Sequence, residues 1–376
     1  MRGGPELVAY WAQLGSIIEL VAGVALAGVG TGISVLVAQA DRLERQRGIL
    51  RESLRLGLAT SALVMLAVAA LSLAFPEHLA PGLPGPLVAL AAVVGCVAVI
   101  PGMLNGYWLG QQRRDLMLAL AAGTAAVQLA AALAAPQRDV LAFLTLAPAV
   151  PALVLLFVSR PAPVSADQNR SRSPLRRYVL PGLAIGVLTP LGAVAARDIV
   201  SAAMSWHEVG LLQALWRVSD WVGNVAAGVM AVHFLPRLAA AHGTPRFAQE
   251  LRRAAFATLV PSAVALAAIG ALHRSVFSLL YDESFQTTDA TVALFFAGTL
   301  ARIASWLPLY ALYAMRRTGP LVVGEFLSMP LFAALLAAYP GPLSLETAGA
   351  LWLAAYVGYG LFNLWAVGRT SASASL

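Results

Sequence analysis

Hydrophobic positions in this chain come in long blocks separated by short polar breaks. From Leu7 onward, apolar stretches of about 20 residues recur to the C-terminus, each long enough to cross roughly 30 Å of hydrocarbon as a helix. The pattern predicts eleven spans, at about 8–38, 56–75, 86–109, 116–135, 139–159, 178–204, 207–238, 254–273, 288–315, 319–339 and 345–368. Several exceed the minimum, which allows them to tilt or to continue past the headgroups. The expected fold class is an all-α polytopic membrane protein. A composition of 59% apolar and 11% charged residues agrees, and excludes a soluble enzyme carrying one anchor.

The polar breaks hold most of the charge. All 25 basic residues are arginine, and nineteen lie at 42–55, 113–114, 160–177, 237–253, 316–317 and 369, in alternate loops and the tail. The opposite loops hold only Arg2, Arg138 and Arg274, so the positive-inside rule places the first set and the C-terminus in the cytoplasm and the N-terminus outside. The net charge of +7 therefore reflects loop asymmetry, and no nucleic-acid partner is expected. Cys96 alone makes neither an internal disulfide nor a structural metal site, and the five histidines have no metal-ligand spacing. The N-terminus lacks the organisation of a cleavable signal, so the first span should be retained.

The stretch 161–177, rich in Pro, Ser and Arg, has linker composition. It divides an N-terminal lobe of five spans (1–160) from a C-terminal lobe of six (178–376). Gln13 and Gln213 open long spans that run into Arg-rich segments at an offset of 200 residues. Both run in the same direction, as expected of parallel repeats about an axis along the membrane normal, an architecture that places substrate between the halves. The span 178–204 has no counterpart in the first half, so one helix is missing there.

Candidate chemistry lies inside the spans. Gln213, Arg217, Asp220 and Asn224 follow spacings of 4, 3 and 4 and share one helix face. Glu19, Arg197, Asp198, Arg302 and Glu325 are the other intramembrane charges. A charge near the bilayer centre costs from about 2.5 to over 10 kcal/mol, so these side chains should line a cavity or pair within the bundle. Both readings stand: Arg217 and Asp220 can form an i,i+3 lock, Arg302 can face a cavity or pair with Glu325, and Arg197 and Asp198 can snorkel from a helix end. Glu19 is a protonatable coupling group or a buried neutral acid. Trp306, Tyr310 and Tyr313 follow Arg302 on its helix and suit either a sugar or ordinary packing. The pairs Gly106/Gly110 and Gly182/Gly186 and the run Gly28-x-Gly30-x-Gly32 indicate close helix packing. Pro101, Pro181, Pro190, Pro261, Pro308 and Pro330 mark possible kinks or breaks.

The segment Trp206 to Asp220 (WHEVGLLQALWRVSD), with His233 to Leu238 (HFLPRL), resembles the Wzx-type flippases of lipid-linked O-antigen and enterobacterial common antigen, a branch of the MOP exporter superfamily. Gly4-Pro5 with Gln13, Gly30-Thr31-Gly32 before Val37-Ala38-Gln39, and Ala301-Arg302 through Met315 extend the resemblance over the whole chain. It implies a MOP/MATE-like two-lobe helical bundle, usually of twelve helices, the first of which has no counterpart here. It also implies a bacterial inner-membrane translocase, not an enzyme, that carries undecaprenyl-diphosphate-linked oligosaccharide through a cationic cavity. On that reading Arg217 and Arg302 meet the diphosphate, and Gln213, Asn224, Trp306 and Tyr310 line the path. Asp220 and Glu325 hold the arginines or take part in coupling, with Glu19, Arg197 and Asp198 as further coupling or pairing groups. No cofactor is implied beyond a coupling proton or sodium ion, and a polysaccharide polymerase and chain-length regulator are the implied partners. The alternatives are a small-molecule or drug exporter of the same superfamily, a membrane-embedded polysaccharide-assembly enzyme, and a non-transporting homologue.

Overall fold

The computed structural model describes residues 4–26, 29–38, 40, 42–75, 80–136, 139–158, 176–281, 283–315 and 317–373. Every regular element among them is helical. In chain order they are α1 Gly4–Leu26, α2 Val29–Ala38, α3 Leu43–Ala74, α4 Gly85–Gly110, α5 Arg114–Ala134, α6 Val140–Leu146, α7 Ala149–Val158 and α8 Arg176–Ala203. There follow α9 Trp206–Val229, a π turn Met230–Phe234, α10 Leu235–Ala241, α11 Arg246–Ala271, α12 His273–Leu280, α13 Asp289–Ala314, α14 Thr318–Phe326, α15 Met329–Ala338 and α16 Leu345–Ser373. Ten stretches of the described residues are long and apolar enough to cross a membrane, some as a broken pair of helices. The chain is a multi-pass all-α membrane protein.

Sequence expectations change at several points. The single span 139–159 is two short helices, α6 and α7, because Pro148 has no N–H with which to carry the hydrogen-bond ladder across the junction. The span 8–38 is α1 and α2, with 27–28 outside the described residues. The basic stretch 42–55 is not a loop: Arg45, Arg47, Arg51 and Arg55 ride on the first turns of α3, a 32-residue helix longer than the hydrocarbon needs.

The described residues divide into two compact units. One is Tyr10–Val194; the other joins the N-terminal turn up to Ala9 with Ala195–Leu376, so α8 contributes to both. The linker 161–177 lies outside the described residues except for its last two positions, which open α8.

In the first of these units small residues set the packing. Ser53, Gly57, Ser61, Val68 and Ser72 are the buried face of α3, and they lie against α4. A Cβ on Gly57 would fall 3.1 Å from Val99, and Ser61 lies 3.2 Å from the Cys96 sulfur. Gly110 and Gly186 serve as expected: a Cβ on either would stand 2.7 Å from a backbone carbonyl, of Ser34 and Gly23 respectively.

In the other unit α13 and α16 run side by side over most of their length. Gly298 leaves room for the Trp352 indole, and Gly349 for Phe295. Ser205 caps α9 by accepting from the Glu208 N–H at 3.3 Å, which fixes where the polar face of that helix begins. The π turn ends α9 just before Pro236, which cannot donate to a preceding carbonyl. By contrast, Pro101, Pro261 and Pro308 sit inside unbroken helices.

Candidate site on α9, α13 and α16

The polar face read from the sequence forms on α9. Gln213, Arg217, Asp220 and Asn224 occupy successive turns of this helix, and their environments differ. Gln213 is 4% exposed, so it does not line an opening. Its Oε1 accepts from both Nε (3.1 Å) and Nη2 (2.9 Å) of Arg197 on α8. Arg197 is itself only 5% exposed and lies 5.6 Å over the Trp216 ring, so of its two readings it takes the one paired within the bundle and does not snorkel. Its planar fork matches one amide oxygen and one aromatic face, which an ammonium group would not. Asp198 beside it is half-buried.

The i,i+3 lock between Arg217 and Asp220 gives way to a longer-range pair. Asp220 Oδ1 accepts from Arg302 Nη2 on α13 at 2.7 Å, with the Arg302 side chain 14% exposed and Asp220 37%. The alternative partner for Arg302, Glu325, lies elsewhere: it is buried on α14 and accepts from Tyr359. Arg302 also faces Trp306 at 5.5 Å and Trp352 at 5.7 Å, so its desolvated cation sits against two aromatic quadrupoles. Gly223 makes that seat possible, since a Cβ there would stand 2.9 Å from Arg302 Nη2. The Tyr356 hydroxyl is within reach of the same guanidinium, and Arg302 Nε is buried with no hydrogen-bond partner.

Arg217, half-buried, lies near Tyr281 in the segment after α12. Burial pushes the Tyr281 hydroxyl above its ordinary range, and the Arg217 charge partly offsets this. Tyr281 stacks between Phe277 and Phe285, at 6.0 and 4.5 Å. Asn224 is exposed. Tyr310 is half-buried and donates to the Ala227 carbonyl at 3.4 Å, which ties α13 to α9 below the Asp220–Arg302 pair. Glu19 belongs to the other unit and is exposed, so it is not buried as one of the two readings required. Among the described residues, no group of three His, Cys, Asp or Glu side chains is placed to hold a metal ion.

Trp352, Tyr356, Tyr359 and Asn363 on α16 were not singled out from the sequence. They are spaced by 4, 3 and 4, the same period as the α9 face, and that repetition was the available signal. Trp352 is fully buried and connects the two guanidinium seats: its ring is 5.4 Å from Trp216, which carries Arg197, and 5.7 Å from Arg302.

These features define a polytopic helical membrane protein with polar and cationic side chains held inside one helical unit. No family model matches the sequence, and no curated protein does. Solved structures do. The chain is similar to a multidrug resistance MATE family transporter of the MOP superfamily in its inward-facing conformation, with 16% identity, a TM-score of 0.78, and coverage of 98% of this chain and 91% of that one. A MATE protein in the bent conformation gives 13% identity and a TM-score of 0.64, covering 98% and 95%. An outward-facing multidrug resistance MATE family transporter gives 16% and 0.59, covering 99% and 90%. The fold is that of the MATE transporters of the MOP superfamily.

Proposed function

We propose that this chain is a flippase that moves an undecaprenyl-diphosphate-linked oligosaccharide across the bacterial inner membrane. The observation that carries the reading is the Asp220–Arg302 pair: a permanently charged fork stored between two membrane-crossing helices against one carboxylate and two tryptophan faces. A diphosphate offers that fork oxygens of matching geometry and can take the place of Asp220, the more exposed partner. Exchanging one anion for another keeps the guanidinium compensated, so no step leaves a bare buried charge. It also keeps the net attraction modest, which the headgroup needs in order to leave. Trp306 and Tyr310, one and two turns further along α13, offer flat surfaces to a sugar ring. The likeness of residues 206–238 to the lipid-linked oligosaccharide flippases supports the same substrate class. Arg197 and Gln213, tied to each other, hold α8 against α9 and stand outside the substrate's path.

A second reading is export of small molecules, favoured by the multidrug transporters among the similar folds. An acidic Asp220 released from Arg302 would then face a cationic substrate. Arg302→Ala distinguishes the two. In cells that depend on this chain, the variant should insert normally, lose surface polysaccharide and leave drug susceptibility unchanged. Normal polysaccharide from a normally inserted Arg302→Ala protein removes the flippase reading.

A further inference from the structure

α11 and α13 pack against each other, and a trough runs between them. Two hollows, of about 350 and 470 Å³, share Ala263, Ala297 and Leu300 and so form one groove, from Asp289 at the start of α13 to Ala304. At 1.5 Å per residue its ends are about 22 Å apart along the helix. Ala293, Ala297 and Ala304 lie on the side of α13 opposite Arg302, so the groove opens away from the interior of the unit. Apart from Asp289 its walls are apolar. On the outside of a membrane-crossing helix such a trough accepts a hydrocarbon chain, and its length exceeds one leaflet's share of the roughly 30 Å core.

The mouth is built differently. His273, which opens α12, is 6% exposed and lies between two residues of the groove: its Nδ1 is 2.9 Å from the Gly270 carbonyl and its Nε2 is 3.5 Å from Asp289 Oδ1. A carbonyl only accepts, so Nδ1 carries the hydrogen and the neutral ring turns a lone pair toward the carboxylate. Nε2 is buried with no hydrogen-bond partner. Two acceptors thus face each other, and what they lack is a group with several N–H donors. Arg274 donates to the same Asp289 oxygen at 3.2 Å, and both of these side chains are exposed. Glu346 adds a second carboxylate, which accepts from Thr288 Oγ1 at 2.8 Å, one residue before Asp289. Two carboxylates against one guanidinium disfavour a purely anionic headgroup. A primary ammonium beside a phosphate matches the whole set: the ammonium donates to Asp289 and His273, and the phosphate accepts from Arg274.

We propose that this groove is a binding site for phosphatidylethanolamine, with one acyl chain between α11 and α13 and the headgroup on Asp289, His273 and Arg274. The site is separate from the Asp220–Arg302 pair and does not depend on which substrate is carried. Its failure is therefore distinct from failure of the flippase reading, which is scored by polysaccharide in cells.

The test is native mass spectrometry of the full chain after equilibration in detergent with phosphatidylethanolamine, phosphatidylcholine or phosphatidylglycerol of identical acyl chains. Phosphatidylcholine is the closest control, since its trimethylated nitrogen keeps the charge and has no N–H to donate. The wild type should retain one phosphatidylethanolamine, with a preference of about tenfold over either other lipid, as expected for one hydrogen bond to a charged group. Asp289→Asn should bring that preference close to parity. Ala297→Leu, at an exposed position, fills the groove and should lower retention several-fold with the headgroup contacts intact. Equal retention of the three lipids, as an ordinary lipid annulus gives, overturns the proposal, and so does retention of none. Preference for phosphatidylglycerol, which an imidazolium at His273 would produce, overturns it too, as does a second copy of the chain in place of lipid. Unchanged preference in Asp289→Asn or unchanged retention in Ala297→Leu has the same force.

Discussion

Arg302 and Asp220 are 82 residues apart in sequence, and their side chains meet at 2.7 Å between α13 and α9. Neither helix offers the other residue a nearer partner of opposite charge in hydrogen-bonding contact among the described residues. Removing one member strands the other in a poorly solvated place, whereas removing both does not. Asp220→Ala should therefore lower stability by about 1–3 kcal/mol, reduced from the fully buried case because Asp220 is partly exposed. The double variant Asp220→Ala/Arg302→Met should recover much of the loss. Thermal unfolding of the detergent-solubilised proteins checks both.

Gly223→Ala separates a role for Arg302 from the general fitness of α9. Alanine in place of glycine inside a helix favours the helix by about 1 kcal/mol, so a neutral or stabilising result is the default. Here the added methyl would stand 2.9 Å from Arg302 Nη2 and displace it. Loss of surface polysaccharide with unchanged or higher thermal stability is the expected outcome. Normal polysaccharide would mean that the position of Arg302 is unimportant.

Trp352 touches Trp216 and Phe332 and faces Arg302. Trp352→Ala should cost about 3–5 kcal/mol through the cavity it leaves. Trp352→Phe retains a ring and most of the volume, and should cost less while weakening the cation–π contact by about 0.5–2 kcal/mol. The two are told apart by unfolding temperature together with near-ultraviolet circular dichroism of the tryptophans.

Pro330→Ala restores a donor to the Phe326 carbonyl and removes the ring clash, so it should let α14 and α15 run on as one helix. The variant should be at least as stable as the parent. Hydrogen exchange at the amides of 327–331 would report the repair as added protection.

Helix type, ten of the eleven crossings and the polar face of α9 were legible because a membrane helix must satisfy its own backbone, and each crossing therefore writes itself as a long apolar block. Partner choice was not. A local rule pairs Arg217 with Asp220, yet Asp220 reaches Arg302, because Gly223 removes the side chain that would otherwise keep α13 away. The stripe Trp352, Tyr356, Tyr359, Asn363 carries no charge and is mostly aromatic, so its pattern alone does not separate a buried face from an interface belt. Its buried position becomes evident only with α16 laid along α13. Prolines were equally ambiguous: Pro308 is absorbed by an intact helix and Pro330 breaks one, and nothing local distinguishes them.

The π turn at Met230–Phe234 holds one more residue than the turns of an α-helix can accommodate, and such a surplus disappears only if the segment unwinds. Past that surplus residue the side chains of α10 point about 100° away from where an unbroken α9 would have carried them.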